Sequence, residues 1–173
     1  IKKVVSPVLI RDRNTAIYYI DFSFDNFQLG GSAFAQSLGK IGKTAPTVKD
    51  SEYFVSAFNT IQELIEKDLI LAGHDISAGG MITALLEMNF GNPEGGLEIN
   101  LDKIAEKDII KILFSENPGV LIQVKDKNSV EKILQNNGIG FSKIGRPCKE
   151  RHILVKKDNA EYQFGIDYLH CLS

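Results

Sequence analysis

The sequence predicts an α+β fold in which helices pack on a mixed β-sheet. Short runs of β-branched and aromatic residues recur along the chain and alternate with segments whose apolar residues follow helical spacing. The alternation lacks the strict strand–helix–strand repeat that is typical of an all-parallel sheet. The 173 residues suffice for one domain with its own hydrophobic core.

The N-terminal region is predicted to form a hairpin followed by a short helix. Strand-like runs at residues 4–10 and 15–22 flank a turn-forming Arg-Asp-Arg-Asn sequence. Pro7 lacks an N–H group and therefore places the first strand at a sheet edge or bulge. Ser32 is a candidate N-cap for a helix that runs through Leu38.

The next element is predicted to be an amphipathic helix of about four turns. It is capped by Asp50 or Ser51 and ends near Asp68. Its apolar face is formed by residues at helical spacing, namely Phe54, Phe58, Ile61 and Ile65.

The remaining sequence is predicted to alternate between strands and helices. Asn128 and Glu131 form a candidate capping box for the last helix. The predicted strands are 69–72, 97–101, 120–124, 139–144 and 153–156, and the predicted helices are 81–90, 107–114 and 128–136. A strand-like tail begins at residue 161 and ends in a helical turn around residue 168.

Composition and charge exclude several classes of function. Twenty basic and 22 acidic residues give a net charge of −2 without long runs of either sign, which argues against nucleic-acid and membrane partners. Cys148 and Cys171 form neither a disulfide framework nor a CxxC pair, which predicts reduced thiols and a cytoplasmic protein. A start at Ile1 without a signal peptide predicts a piece of a longer chain.

The segment 69–88 is the strongest candidate for a functional site. A short strand runs into Gly-His-Asp-Ile-Ser-Ala-Gly-Gly and then into an apolar helix. This geometry directs backbone N–H groups and the positive end of a helix dipole at one spot, which suits phosphate. Asp75 offers a hard oxygen ligand for Mg²⁺, Ser77 offers a hydroxyl for phosphate, and Gly79 and Gly80 would allow close approach of a ligand.

Each of these residues also has a purely structural interpretation. Asp75 or Ser77 would cap the helix while the glycines relieve crowding. His74 is either a general base or metal ligand, or a histidine hydrogen-bonded at the mouth of the loop. Glu87 and Glu116 lie in apolar surroundings. Each is either a metal ligand or a buried carboxylate that accepts backbone N–H bonds or pairs with a lysine.

Five motifs in fixed order resemble the second C-terminal-type domain of the phosphoribosylformylglycinamidine synthases. They are Leu-Gly-Gly-Ser-Ala-Phe-Ala-Gln (29–36), Leu-Ala-Gly-His-Asp-Ile-Ser-Ala-Gly-Gly (71–80), Leu-Glu-Met-Asn-Phe-Gly (86–91), Leu-Phe-Ser-Glu-Asn (113–117) and Gly-Val-Leu-Ile-Gln-Val (119–124). The resemblance covers residues 6–155, and it extends more distantly to aminoimidazole ribonucleotide synthetase, whose C-terminal domain has the predicted fold. It places that domain at residues 1–155 and leaves 156–173 as a tail leading toward a glutaminase domain.

The resemblance implies an activity for the longer chain and roles for two residues. Enzymes of this family convert formylglycinamide ribonucleotide to formylglycinamidine ribonucleotide with ATP and glutamine. By the same resemblance Asp75 binds Mg²⁺ and Ser77 contacts ATP or ADP at an auxiliary nucleotide site. Relatives more often carry Asp where this chain has Ala78, which lowers the local negative charge.

The resemblance also implies partners and a limit on activity. The partners are the N-terminal-type ATP-binding domains and the glutaminase domain of the same polypeptide, together with small-molecule substrates. Because residues 1–173 resemble neither of those domain types, they are not expected to catalyse a reaction alone. The alternative is a non-catalytic domain of the same fold that only buttresses its neighbours.

Overall fold

Twelve regular elements are found in this computed structural model, which describes residues 3–167. In chain order they are β1 (Ala16–Asp21), α1 (Ala33–Ser37), α2 (Ser51–Glu66), β2 (Ala72–Asp75), α3 (Gly80–Phe90), β3 (Gly96–Asn100), α4 (Ile109–Phe114), β4 (Gly119–Val124), α5 (Lys127–Asn136), β5 (Phe141–Cys148), β6 (His152–Lys157) and β7 (Ala160–Gly165).

All seven strands form one sheet in the order β2-β4-β1-β5-β3-β6-β7. Neighbouring strands are antiparallel, except that β3 and β6 are parallel. The sheet is therefore mixed, and the predicted α+β class is confirmed. Strand β2 lies at one edge and β7 at the other, with β1 near the centre.

Helices pack on both faces of the sheet, and the side chains of the central strand β1 alternate between two cores. Ile17 and Tyr19 of β1 belong to a core formed with α3 and α4. Tyr18 and Ile20 of the same strand belong to a second core formed with α2 and α5. Burying each large apolar side chain contributes about 1.5–3 kcal/mol, so these two cores supply most of the favourable free energy of folding.

Helix α2 begins as its sequence predicts, whereas α5 does not. The Asp50 carboxylate accepts the N–H groups of Glu52 and Tyr53 at the start of α2. At α5 the N-cap is Asp126, whose side chain accepts the N–H of Ser129. The predicted capping box of Asn128 and Glu131 is wrong, because the Glu131 carboxylate instead accepts the Tyr18 hydroxyl.

The predicted strand at residues 4–10 is wrong, and with it the N-terminal hairpin. This segment has no regular secondary structure, bends at Pro7 and Val8, and belongs to no strand of the sheet. Its polar groups are bonded elsewhere: Leu9 N–H donates to Met88 O at 3.0 Å. The buried Gln123 side chain bonds both the N–H and the carbonyl of Ile10, at 2.8 and 2.6 Å. One buried amide side chain thus replaces the strand partner that the pattern predicts.

The strand predicted at residues 69–72 lies three residues further along. Leu69 N–H still bonds the carbonyl of Leu64 at the end of α2, and the strand begins only at Ala72. As a result His74 and Asp75, predicted to lie in the loop, are the last residues of β2.

At the other end of the chain, β7 pairs with β6 along its whole length, so the sheet extends beyond residue 155 to Gly165. The predicted helical turn around residue 168 and the thiol of Cys171 lie outside the described residues. Among the helices of residues 3–167, none is long and apolar enough to cross a membrane.

Candidate functional site

The candidate site lies where the edge strand β2 passes into α3. Asp75 is the last residue of β2 and pairs with Val120 of β4. The next residue, Ile76, is fixed by an N–H bond of 2.8 Å to the carbonyl of Gly119. Gly79 and Gly80 then have left-handed φ angles of 87° and 75°, a conformation that glycine adopts without steric cost.

Packing within the chain explains both glycines. A Cβ atom on Gly80 would lie 2.6 Å from the carbonyl oxygen of Leu113 and 2.8 Å from Cα of Phe114. A Cβ atom on Gly79 would lie 2.2 Å from Oγ1 of Thr83. Of the two interpretations drawn from the sequence, relief of crowding accounts for these positions, and it lets the start of α3 touch the backbone at the end of α4.

Neither Asp75 nor Ser77 caps the helix. The N-cap of α3 is Gly79, which makes no side-chain capping bond. Ser77 contributes only its carbonyl, which accepts Gly80 N–H at 3.0 Å. The structural interpretation of Asp75 and Ser77 as helix caps is therefore wrong, and both side chains are exposed.

Glu116 connects three of the five sequence motifs. Its Oε1 atom accepts Gly79 N–H at 2.9 Å and Ala33 N–H at 2.8 Å. Ala33 is the first residue of α1, so one carboxylate binds the N-terminal ends of two helices, where a negative charge is favoured by the helix dipole. Of the alternatives open from the sequence, Glu116 is a carboxylate that accepts backbone N–H bonds.

Asn117 holds a neighbouring loop against the same junction. Its Oδ1 accepts Gln28 N–H at 3.2 Å. Its Nδ2 donates to the Asn26 carbonyl at 3.0 Å and to Oγ of Ser23 at 3.1 Å. The sequence pattern indicates no binding role for this buried asparagine, although it lies beside Glu116 in a run of polar residues after an apolar helix.

His74 is hydrogen-bonded at the mouth of the loop. Its Nδ1 lies 2.7 Å from the carbonyl oxygen of Asp75, and its Nε2 lies 3.1 Å from Oε2 of Glu87 on α3. The His74 side chain is 17% exposed, whereas the Asp75 side chain is 76% exposed. The pair of His74 and Glu87 therefore joins the end of β2 to α3 and leaves the Asp75 carboxylate facing solvent.

The donor set at this junction is sparse. Within residues 3–167 no group of three or more His, Cys, Asp or Glu side chains is placed to hold a metal ion. The Asp75 carboxylate lies beside the His74 ring, with Oδ1 at 3.6 Å from Nδ1. Ser77 has no side-chain hydrogen bond within the described part of the chain.

An apolar cavity of about 360 Å³ opens beside Asp75. His74 and Asp75 line it. Its apolar lining comes from the N-terminal segment, from α2, from the segment that follows α2 and from β4, namely Val5, Pro7, Ile61, Ile65, Ile70, Val120, Leu121 and Ile122. The cavity places apolar surface next to an exposed carboxylate, a combination that is typical of ligand sites.

Comparison with known proteins identifies the class to which this chain belongs. Residues 25–157 match the family described as AIR synthase related protein, C-terminal domain. The chain belongs to this family, which confirms the fold that the five motifs predict.

Two relatives with similar sequences are named as probable phosphoribosylformylglycinamidine synthases. The chain is 35% identical over 160 residues to the probable phosphoribosylformylglycinamidine synthase of Caenorhabditis elegans, covering 84% of this chain and 12% of that protein. It is 36% identical over 130 residues to the probable chloroplastic/mitochondrial phosphoribosylformylglycinamidine synthase of Arabidopsis thaliana, covering 74% of this chain and 9% of that protein. The chain thus spans about a tenth of the length of these relatives.

A solved structure shows the same fold. The structure of T. maritima PurL complexed with ATP superposes with a TM-score of 0.72 at 15% identity, covering 97% of this chain and 27% of that one. The predicted resemblance to phosphoribosylformylglycinamidine synthases is therefore confirmed at the level of sequence family and of fold.

Proposed function

We propose that this chain is the second C-terminal-type domain of a phosphoribosylformylglycinamidine synthase. In that role it serves the ATP- and glutamine-dependent conversion of formylglycinamide ribonucleotide to formylglycinamidine ribonucleotide in purine biosynthesis. Its contribution is one wall of an auxiliary Mg²⁺–nucleotide site, with Asp75 as a metal ligand and Ser77 as a contact to ATP or ADP. The names of the relatives and the order of the five motifs support this assignment.

One observation carries the site assignment. The turn between β2 and α3 is held by the Glu116 carboxylate, by backbone bonds such as Ile76–Gly119 and Gly80–Ser77 and by two left-handed glycines. Asp75 and Ser77 contribute only backbone groups to this turn, and their polar side chains are exposed. A carboxylate and a hydroxyl without a structural role, held by a rigid turn, are suited to binding a ligand.

The chemistry of these two groups fits a magnesium nucleotide. Mg²⁺ prefers oxygen ligands and is usually held by one or two carboxylates together with phosphate and water, so a single exposed carboxylate is a sufficient protein contribution. When bound, the ion would neutralise phosphate charge. Ser77 would donate a hydrogen bond from its hydroxyl to a phosphate oxygen. The apolar cavity beside Asp75 would give a planar apolar group a place to pack.

Other parts of the longer polypeptide complete the proposal. The N-terminal-type domains would supply most of the ATP and metal ligands, and a glutaminase domain would supply ammonia. The cytoplasm stays the proposed location for this chain, whereas the Arabidopsis relative is named as chloroplastic/mitochondrial.

The test is thermal unfolding of the full-length protein with and without Mg²⁺-ADP. A ligand that binds only the folded state stabilises it by mass action, by about 2.7 kcal/mol at one hundred times its dissociation constant. Asp75→Ala should remove most of this stabilisation, because it deletes a charged metal ligand. Ser77→Ala should remove less, since one neutral hydrogen bond contributes about 0.5–1.5 kcal/mol.

The matched control is Glu66→Ala, which removes an exposed carboxylate at the end of α2. It should leave the stabilisation by Mg²⁺-ADP unchanged. If Asp75→Ala also leaves it unchanged, the site assignment is wrong and the domain only buttresses its neighbours.

A further inference from the structure

Within residues 3–167, no helix packs on half of one sheet face. The second core, which lies under α2 and α5, contains no buried residue of β3 or β6. Helices α2 and α5 therefore cover β4 and β1 and stop short of β3 and β6. On the uncovered half a groove of about 700 Å³ runs over β5, β3 and β6, within the size range of small-molecule sites.

The groove has a strongly uneven charge. Six cationic side chains line it, namely Arg13, Lys103, Lys127, Lys143, Arg146 and Lys156, against the two carboxylates Glu98 and Asp102. The chain as a whole has a net charge of −2, so this concentration of positive charge is local. Clefts lined by one sign of charge raise the local concentration of oppositely charged ligands.

Both carboxylates are already engaged. Glu98 Oε2 accepts a hydrogen bond from Arg146 Nε at 2.9 Å and forms an ion pair with Arg146 Nη2, also at 2.9 Å. Asp102 Oδ1 accepts Asp158 N–H at 2.7 Å, and its Oδ2 accepts the Asn100 side-chain amide at 3.0 Å. Glu98 is therefore paired with Arg146, whereas Asp102 keeps its negative charge, and the six cations of the lining outnumber the two carboxylates.

Four cations from different elements remain without an ion-pair partner among residues 3–167: Arg13, Lys103, Lys127 and Lys143. Lys143 lies on the floor strand β5, and the other three lie off the floor: Arg13 before β1, Lys103 after β3 and Lys127 at the start of α5. Cations that reach one concave space from several sides suit a compact ligand with several negative charges better than a flat partner surface.

We propose that this groove binds a small molecule carrying two or more phosphate groups. The site is separate from Asp75 and Ser77, which do not line it, and it does not depend on the proposed magnesium site. Lys127 and Lys143 are the principal contacts, and each donates a charge-assisted hydrogen bond to a phosphate oxygen.

The experiment is calorimetric titration of the 173-residue chain with inorganic tripolyphosphate in EDTA at low salt. We expect saturable binding that weakens as salt is raised. The double substitution Lys127→Ala/Lys143→Ala should weaken binding by roughly tenfold or more, since hydrogen bonds to charged groups are involved. Asp75→Ala should bind as the wild type does, which separates this proposal from the proposed function.

Lys40→Ala is the matched control, because Lys40 is exposed and does not line the groove. Equal weakening by Lys40→Ala would mean non-specific attraction and would overturn the proposal. Absence of saturable binding would also overturn it. So would tighter binding of a ten-residue glutamate peptide than of tripolyphosphate, because the face would then be a docking surface for an acidic protein.

Discussion

Removal of the Glu116 carboxylate is the perturbation that the structure evaluates most directly. In Glu116→Ala the N–H groups of Gly79 and Ala33 lose their acceptor. Hydrogen bonds to a charged group contribute about 1.5–3 kcal/mol each. Because Ala33 is exposed and its N–H can bond water instead, the combined loss should be about 2–4 kcal/mol, toward the lower end of the sum.

The conservative substitution separates charge from hydrogen bonding. In Glu116→Gln the side-chain oxygen still accepts both N–H groups, but the negative charge at the two helix N-termini is gone. That charge contributes about 0.3–1 kcal/mol at each exposed helix end, so Glu116→Gln should destabilise the fold by about 1 kcal/mol.

The assay is chemical denaturation of the chain, together with hydrogen exchange of the Gly79 and Ala33 amides. In a parallel thermal melt, each kcal/mol of lost stability should lower the melting temperature by about 2–4 °C for a domain of this size. Both amides should exchange faster in Glu116→Ala. Glu66→Ala, an exposed carboxylate without a side-chain partner in the described residues, should stay within about 0.5 kcal/mol of wild type. A similarly small effect of Glu116→Ala would refute the role given to this carboxylate.

Three further predictions concern packing, thiol chemistry and activity. Gly80→Ala should destabilise the fold by at least about 2 kcal/mol, because strain of the left-handed backbone adds to overlap with the α4 backbone. The control Gly138→Ala, at a φ of 68° with open space around it, should destabilise the fold by only about 1–2 kcal/mol. Equal losses of stability in the two variants would contradict the packing argument. Burial, with the charge of Glu150 nearby, raises the pKa of the Cys148 thiol. In Cys171→Ser the remaining thiol should therefore be reduced and should react slowly with a disulfide reagent at neutral pH, and faster as the pH rises. Rapid labelling at pH 7 would contradict this prediction. The isolated chain should show no ligase turnover with ATP, glutamine and formylglycinamide ribonucleotide, and detectable product would contradict the assignment of the active site to other domains.

Elements whose signal is local were predicted well from the sequence. The position of helix α2 follows from apolar spacing and the cap at Asp50, although its buried residues are Ala57, Thr60, Ile61 and Leu64 and the predicted Phe58 is 49% exposed. Strand β4 follows from an apolar run between turn residues. The segment 4–10 has an equally strong strand pattern. Its partner, however, is the side chain of Gln123, 113 residues away from Ile10, and no local pattern reports such a contact.

The candidate site divides in the same way. The motif around Asp75 and Ser77 is visible in the sequence, because strand, glycine loop and helix are consecutive. For Glu116 the sequence offers acceptance of backbone N–H bonds as one alternative, but it does not identify the two partners, which lie 37 and 83 residues away. The prediction that Asp75 or Ser77 caps α3 is also wrong, because the N-cap is Gly79, which has a left-handed backbone and no capping side chain.

The most direct test of the central claim is a crystal structure of the full-length protein with Mg²⁺-ADP. The account predicts a metal ion with a carboxylate oxygen of Asp75 at about 2.0–2.1 Å, the distance that Mg²⁺ requires, and the Ser77 hydroxyl within hydrogen-bond distance of a phosphate oxygen. A bound nucleotide whose metal ions are all remote from Asp75 would contradict it.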